Sequence, residues 1–213
     1  MIMPQLDDNY VYVPEDDRQA PTVLPEGVMR IGADGLAAQR LLTPELARVC
    51  AGEASARELA LPVRIAAFDF DGTSISGNSP VLLVRHLAKL GMLKKSVIAR
   101  IMAWAAAYKL RLPQNESWVR GLVFSAFRGK PVSQVNRFLR DFYEERVEGI
   151  FRDEIDQLMR RHLEDGHVVV CVSATFEPII AKAMICHPIQ FGIATRMQID
   201  GDGCYTDRVD GLP

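Results

Sequence analysis

Little in this chain is in excess, and each shortage removes a class of function. Its cysteines are Cys50, Cys171, Cys186 and Cys204, scattered with no CxxC pair, which argues against a disulfide framework or a structural zinc and for a reducing cytoplasm. Neither sign of charge dominates, with 25 Lys and Arg against 27 Asp and Glu, a net −2. There is no basic field to draw in nucleic acid. The acidic start, MIMPQLDDNYVYVPEDD, has neither a basic opening nor an apolar run and carries no targeting signal. Ser96 to Leu112 is apolar but is interrupted by Arg100 and Lys109 and is too short to span a bilayer. A buried helix is expected there, and no membrane partner. No fixed-period repeat appears. The histidines read as ordinary surface or cap residues rather than ligands: His86 and His162 fall on helical patterns, while His167 and His187 flank loops.

What is present is concentrated in Val63 to Asn78, VRIAAFDFDGTSISGN. Val63, Ile65, Ala66, Ala67, Phe68 and Phe70 form a short apolar run between Pro62 and Gly72, which predicts a strand buried on both faces. Open parallel sheets bind ligands at the carboxyl ends of their strands, where Asp69 and Asp71 fall. A strand's period of two would turn both carboxylates to one side. Two such charges call for a shared cation, and Mg²⁺, which prefers oxygen ligands and keeps several waters, suits them. Asp and Gly are also ordinary turn residues, so the segment alone is not decisive.

A second segment, Gly166 to Pro178, GHVVVCVSATFEP, is another apolar strand running to a hydroxyl residue, Ser173. The first segment resembles motif I of the haloacid dehalogenase-like superfamily, a strand followed by DxDGT, here Asp69, Phe70, Asp71, Gly72 and Thr73. The second resembles its motif II, and the Ser-Ala-Thr-Phe-Glu-Pro run resembles the phosphoserine-phosphatase-like subfamily with a helical cap. Phe191 to Val209 resembles the strand and hairpin that follow in that subfamily.

The resemblance implies an α/β fold, a Rossmann-like parallel sheet core with an inserted α-helical cap. It implies a Mg²⁺-dependent phosphatase acting on a small phosphorylated metabolite. Phosphate monoesters hydrolyse very slowly unaided, so a catalyst must neutralise charge and position a nucleophile. Asp69 would be the nucleophile that becomes an aspartyl-phosphate. Asp71 would be the general acid and base. Asp69 and Asp71, the latter through its backbone carbonyl, would hold the metal. Amides from Phe70 to Thr73, with Ser173 and the neighbouring Ala174, would hold the phosphoryl oxygens.

The chain also departs from the family. In the family a lysine and a GDxxxD strand follow the hairpin, whereas here the sequence runs from Tyr205 to Pro213 without either. Lys182, on the helix leaving motif II, and Asp200 and Asp202, in a DGDG turn, read as a solvated lysine and turn residues. Losing one electrostatic partner costs about a hundred- to a thousandfold in rate, so impaired turnover is expected. The chain is expected to be a truncated product, a fragment or half of a split protein. The family's next strand pairs beside motif I, so Val63 to Phe70 would become an apolar edge open to self-association.

Three parts are expected. Residues 1–62 form an N-terminal extension, partly disordered, with one helix from Pro44 to Leu59 capped by Thr43. Residues 63–79 and 166–213 form the core, with a helix from Glu177 to Ile185. Residues 80–165 form the cap, with helices Val81–Leu90, Ser96–Lys109, Glu116–Phe127, Val132–Glu148 and Phe151–Leu163 broken by Gly or Pro. Caps close over sites and select substrates. Candidate contacts are Asn78, Arg85, Trp118, Arg120 and Arg128. Asn78 falls where phosphoserine phosphatases carry a glutamate that reads the substrate ammonium, and a neutral amide lacks that charge, which points away from phosphoserine. Two alternatives stay open: a non-catalytic fragment that binds a partner, and a phosphotransferase that passes the group to an alcohol.

Overall fold

The structure, a computed structural model, describes residues 22–23, 28–30, Pro44, Glu45, Arg48, Glu53, Ala54, Glu58, 64–109 and 121–210. Of the expected helix from Pro44 to Leu59, Pro44, Glu45 and Arg48 are described and are helical. The expectation of a disordered start, and the candidates Trp118 and Arg120, lie outside the described residues.

The described residues form two compact units, one drawn from residues up to Ser79 and from Leu139–Ala194, the other from Pro80–Phe138 and from Thr195 onward. The first is a mixed five-stranded sheet with helices, an α/β arrangement. Its strands are β1 (Thr22–Val23), β2 (Val28–Arg30), β3 (Ile65–Phe68), β4 (Val168–Phe176) and β5 (Phe191–Thr195), in the order β1-β2-β5-β4-β3. β3 and β4 run parallel, with Ile65 opposite Val168 and Phe68 opposite Cys171. β2 is antiparallel to both β1 and β5.

The motif I strand is therefore present but not buried on both faces as its composition suggested. It stands at one end of the strand order among the described residues, and Ile65 is 66% exposed. An apolar run fixes strand propensity; burial depends on what packs outside it. The strand also stops at Phe68, so period-two alternation does not orient Asp69 and Asp71; the turn that follows does. β4, by contrast, is a core strand, with Val168, Val169, Cys171, Thr175 and Phe176 all buried.

Helices α4 (Asp153–Glu164) and α5 (Glu177–Cys186) both pack on β4. α4 carries Asp153, Glu154 and Asp156 in its first turn and Arg161 and His162 in its last, a charge order that suits the helix dipole. It buries Met159 and Leu163, one turn apart. Gly166, at φ 75°, ends it: its amide bonds to Leu163 O and that of His167 to His162 O, a Schellman closure that turns the chain into β4. α5 starts directly after β4, with Pro178 in its first turn, and buries Ile179, Ile180, Ala183 and Met184.

A part-buried polar chain crosses this unit. Asp156 Oδ1 lies 2.9 Å from His187 Nδ1, and His187 Nε2 lies 2.9 Å from the Tyr143 hydroxyl. Burial pushes Tyr143 ionisation far up, so it remains a phenol and donates to Nε2. Nδ1 then carries the imidazole proton and donates to Asp156, which also accepts from Arg160 Nε at 2.7 Å. The contact of His187 with Asp156 is thus a hydrogen bond of a neutral ring. Burial holds the His187 pKa below its usual 6.5, partly offset by Asp156 and Glu148, while Arg160 adds to the lowering. Since the native state resists a proton that the unfolded chain accepts, this contribution to stability is complete above pH 6.5 and declines as the pH falls toward the depressed native value. Thermal unfolding followed between pH 7.5 and 5 should show that acid-side loss in the wild type and a flatter profile for His187→Asn.

The second unit contains α1 (Ser79–Lys89, from Pro80), α2 (Lys95–Lys109), a helical turn at residues 121–124, α3 (Val132–Arg146, to Phe138) and the hairpin β6 (Met197–Ile199) and β7 (Tyr205–Val209). α1, α2 and α3 agree with their expected segments within two residues, with a 3₁₀ turn, Glu148–Ile150, following α3, whereas the described part of the expected Glu116–Phe127 helix is helical only to Phe124, three residues short. Leu83, Leu87, Leu93, Ile101, Phe124, Phe127, Val135 and Phe138 form its core, joined by Met197 and Tyr205 from the hairpin. The hairpin is tied to residues 129–132: Gly129 N–H donates to Tyr205 O at 2.8 Å and Tyr205 N–H to Lys130 O at 3.0 Å. The Tyr205 hydroxyl donates to Asn136 Oδ1 at 2.7 Å. Among the described residues, no helix is long and apolar enough to cross a membrane.

Candidate functional site

The turn after β3 places the two motif I aspartates differently. Asp69 is exposed; its Oδ1 accepts from Phe70 N–H at 2.7 Å and its Oδ2 from the Thr73 hydroxyl at 3.4 Å. Its own carbonyl takes the buried Ser74 hydroxyl at 2.7 Å, which closes the turn from beneath. Gly72, at φ 78°, sits where a side chain would be strained, although a Cβ there would meet nothing within 4 Å. Gly72→Val should therefore cost stability through backbone strain, by about 1–2 kcal/mol, and Gly72→Asn distinctly less. Chemical denaturation of the two variants measures the difference.

Asp71 is held at both oxygens. Oδ1 accepts the Ser79 backbone N–H at 2.5 Å, and Oδ2 accepts the Thr175 hydroxyl at 2.6 Å. The Ser79 and Thr175 hydroxyls lie 2.6 Å apart and both residues are buried. Motif I is thus joined to motif II, but through Thr175, which the sequence reading passed over in favour of Ser173 and Ala174. β4 continues past Ser173 to Phe176, and the period of two puts Thr175 on the face of Ser173. That parity is the signal that could have found it. Ser173 Oγ accepts from Thr175 N–H at 3.0 Å, while Ala174 is exposed. Asn78 is exposed, one residue before Ser79.

Both carboxylates lie close enough to Cys171 to raise its thiol pKa, which burial, with Asp69 and Asp71 adding, pushes up to about 12. The thiol is therefore no nucleophile at neutral pH. Phe151 bridges to Ile75 in antiparallel fashion, with Ser76 N–H donating to Ile150 O and Arg152 N–H to Ser74 O, each at 2.9 Å. This brings the Arg152 guanidinium against the turn, with Nη2 3.4 Å from Gly72 O. Its Nε is buried without a hydrogen-bond partner, and Glu154 lies 3.7 Å from Nη1. No motif in the sequence points to this cation, because the strand bridge that delivers it is a tertiary contact.

Other candidates are accounted for elsewhere. Lys182 is not solvated: it pairs with Glu144 at 2.5 Å, with 19% of its side chain exposed. Asp200 Oδ1 accepts the amides of Asp202 and Cys204 and so builds the hairpin turn. Arg128 pairs with Asp207 at 3.3 Å, and Arg85 is exposed. Gly72 N–H donates to Gly77 O at 2.8 Å, so within this turn it is spent and does not belong to the expected phosphate cradle.

For a hard divalent cation the site offers oxygen donors only. Among the described residues no three His, Cys, Asp or Glu side chains converge. Mg²⁺ commonly takes one or two carboxylates, several waters and a substrate phosphate, so the exposed Asp69 carboxylate with a carbonyl of the turn fits that minimal set.

Residues 66–213 match the haloacid dehalogenase-like hydrolase family. The chain is 24% identical over 152 residues to the "Inhibition of morphological differentiation protein" of Streptomyces azureus, an alignment covering 70% of this chain and 55% of that protein. Among solved structures, a protein of unknown function from Bordetella pertussis Tohama I superposes with a TM-score of 0.61 at 22% identity, over 71% of this chain and 68% of that one. A phosphoserine phosphohydrolase-like protein from Francisella tularensis gives a TM-score of 0.44 at 18% identity, over 70% and 64%. The chain thus spans little more than half of the curated relative it matches.

Proposed function

Since the chain belongs to the haloacid dehalogenase-like hydrolases, we propose that it works as a Mg²⁺-dependent phosphatase on a small phosphorylated metabolite, through a phosphoryl group carried on Asp69. The observation that carries this reading is the unlike treatment of the two aspartates. Asp69 is exposed at the end of β3, as a nucleophile must be, whereas Asp71 is anchored at both oxygens, as an oriented proton carrier must be.

In the proposed reaction Asp69 attacks phosphorus, the ester oxygen leaves and takes a proton from Asp71, and Asp69 holds the phosphoryl group. Water then attacks the same phosphorus and gives a proton to Asp71; inorganic phosphate departs and the Asp69 carboxylate is restored. Asp69 and the Asp71 carbonyl would hold Mg²⁺, which offsets repulsion between an anionic nucleophile and an anionic substrate. Thr73, which donates to Asp69 Oδ2, and Ser173, which is bonded to Thr175, would serve as hydroxyl partners for phosphoryl oxygens, and the Arg152 guanidinium at the same turn would add a positive charge. Asn78 at the site's margin favours a substrate without an ammonium group there. The setting is read as cytoplasmic, and no nucleic acid or membrane partner is proposed.

The test is phosphate release from a panel of phosphate monoesters, with Mg²⁺ and with a chelator, by the wild type and by Asp69→Asn. Release that needs both the metal and Asp69 supports the reading. Equal traces from both proteins would remove it and leave a binding role.

A further inference from the structure

We infer that Thr175, with Ser79 behind it, is the positioning residue for Asp71, fixing the plane in which that carboxyl group meets the leaving oxygen. The inference rests on the reading of Asp71 as proton carrier given above.

The direction of the hydrogen bonds follows from counting protons. An Asp71 carboxylate can only accept, so the single hydroxyl proton of Thr175 is committed to Oδ2 at 2.6 Å. Thr175 Oγ1 can then only accept from Ser79, whose hydroxyl lies 2.6 Å away. The order is Ser79 hydroxyl to Thr175 hydroxyl to Asp71 Oδ2, a chain in which each bond strengthens the next. Ser79 acts a second time through its backbone N–H, which donates to Oδ1 at 2.5 Å. Rotation of the carboxyl group would break one anchor or the other. Ser79 is 0% exposed and Thr175 1%, so water does not readily replace either hydroxyl.

The two anchors grip opposite oxygens, the Ser79 backbone N–H on Oδ1 and the Thr175 hydroxyl on Oδ2, so the plane of the carboxyl group is fixed from two separate elements of the chain.

The experiment measures kcat/KM along a series of phosphate monoesters, from activated aryl phosphates with good leaving groups to alkyl phosphates with poor ones. Activated esters need no proton on departure, while poor leaving groups do. Thr175→Val removes the hydroxyl at nearly constant shape. It is expected to slow alkyl phosphates by on the order of a hundredfold and activated aryl phosphates by only a fewfold, with Thr175→Ser restoring most of the loss. A uniform fall across the series, or no rescue by serine, would overturn the inference and leave Thr175 a structural residue. Should Thr175→Val not fold, Ser79→Ala, which keeps the backbone anchor, is expected to steepen the same series in smaller measure; an unchanged slope there overturns the relay. If the wild type releases phosphate from no ester, the phosphatase reading falls. Crystal structures then decide the inference: an Asp71 carboxyl turned away in Thr175→Val supports it, and an unmoved one overturns it.

Discussion

Phosphate release should fall by about a thousandfold or more when Asp69 becomes asparagine. The amide is neutral and a poor nucleophile, so no phosphoryl group can be carried on it. The substitution is otherwise gentle, because the retained Oδ1 can still accept Phe70 N–H, and the Ser74 hydroxyl bonds to the main-chain carbonyl. Circular dichroism and the unfolding midpoint should match the wild type, which separates lost chemistry from lost fold. Intact-mass analysis after quenching in acid gives an independent reading: a phosphoryl adduct on the wild type and none on the variant. A variant that retains the wild-type rate would mean that Asp69 is not the nucleophile.

Phe70→Ala should cost roughly 3–5 kcal/mol, the usual range for emptying a buried phenylalanine site, and lower the unfolding midpoint by roughly 6–20 °C. Phe70 stands between the two aspartates yet is 0% exposed, with its ring 6.5 Å from that of Phe151. The pair holds the turn down, and Phe151 is itself stacked on His187 at 3.5 Å. Phe70→Leu, which refills much of the space, should recover more than half of the loss. Differential scanning calorimetry distinguishes the two variants. A loss within about 0.5 kcal/mol for alanine would be typical of a surface site and would contradict the burial described here.

The contrast between Phe70 and Ile65 shows where sequence reasoning ends. Both belong to one apolar run, but Phe70 is packed and Ile65 is 66% exposed. Composition marks a segment as strand; its place in the strand order decides what covers it. The helices were legible because period and punctuation are local. Gly166 closes α4 and Pro178 opens α5 where glycine and proline geometry lets them. Asp69 and Asp71 were legible because DxDGT is a contiguous pattern. Thr175 is recoverable by strand parity once Ser173 is noticed. Ser79 and Arg152 were not legible: one acts through its backbone amide, and the other reaches the turn through a bridge between Ile75 and Phe151. The pairing of Lys182 with Glu144 likewise depends on two helices meeting.

The bond between Asp71 and Thr175 joins residues 104 positions apart, and that between Ser79 and Thr175 residues 96 apart. Each must await closure of a long loop, whose entropic cost precedes any reward from the contacts it makes. The first aspartate segment can leave the ribosome and form its turn early, but its carboxyl group stays free to rotate until β4 docks beside β3. Alignment of the site is thus expected late in folding, and a partly folded chain would hold Asp69 and Asp71 without their orientation.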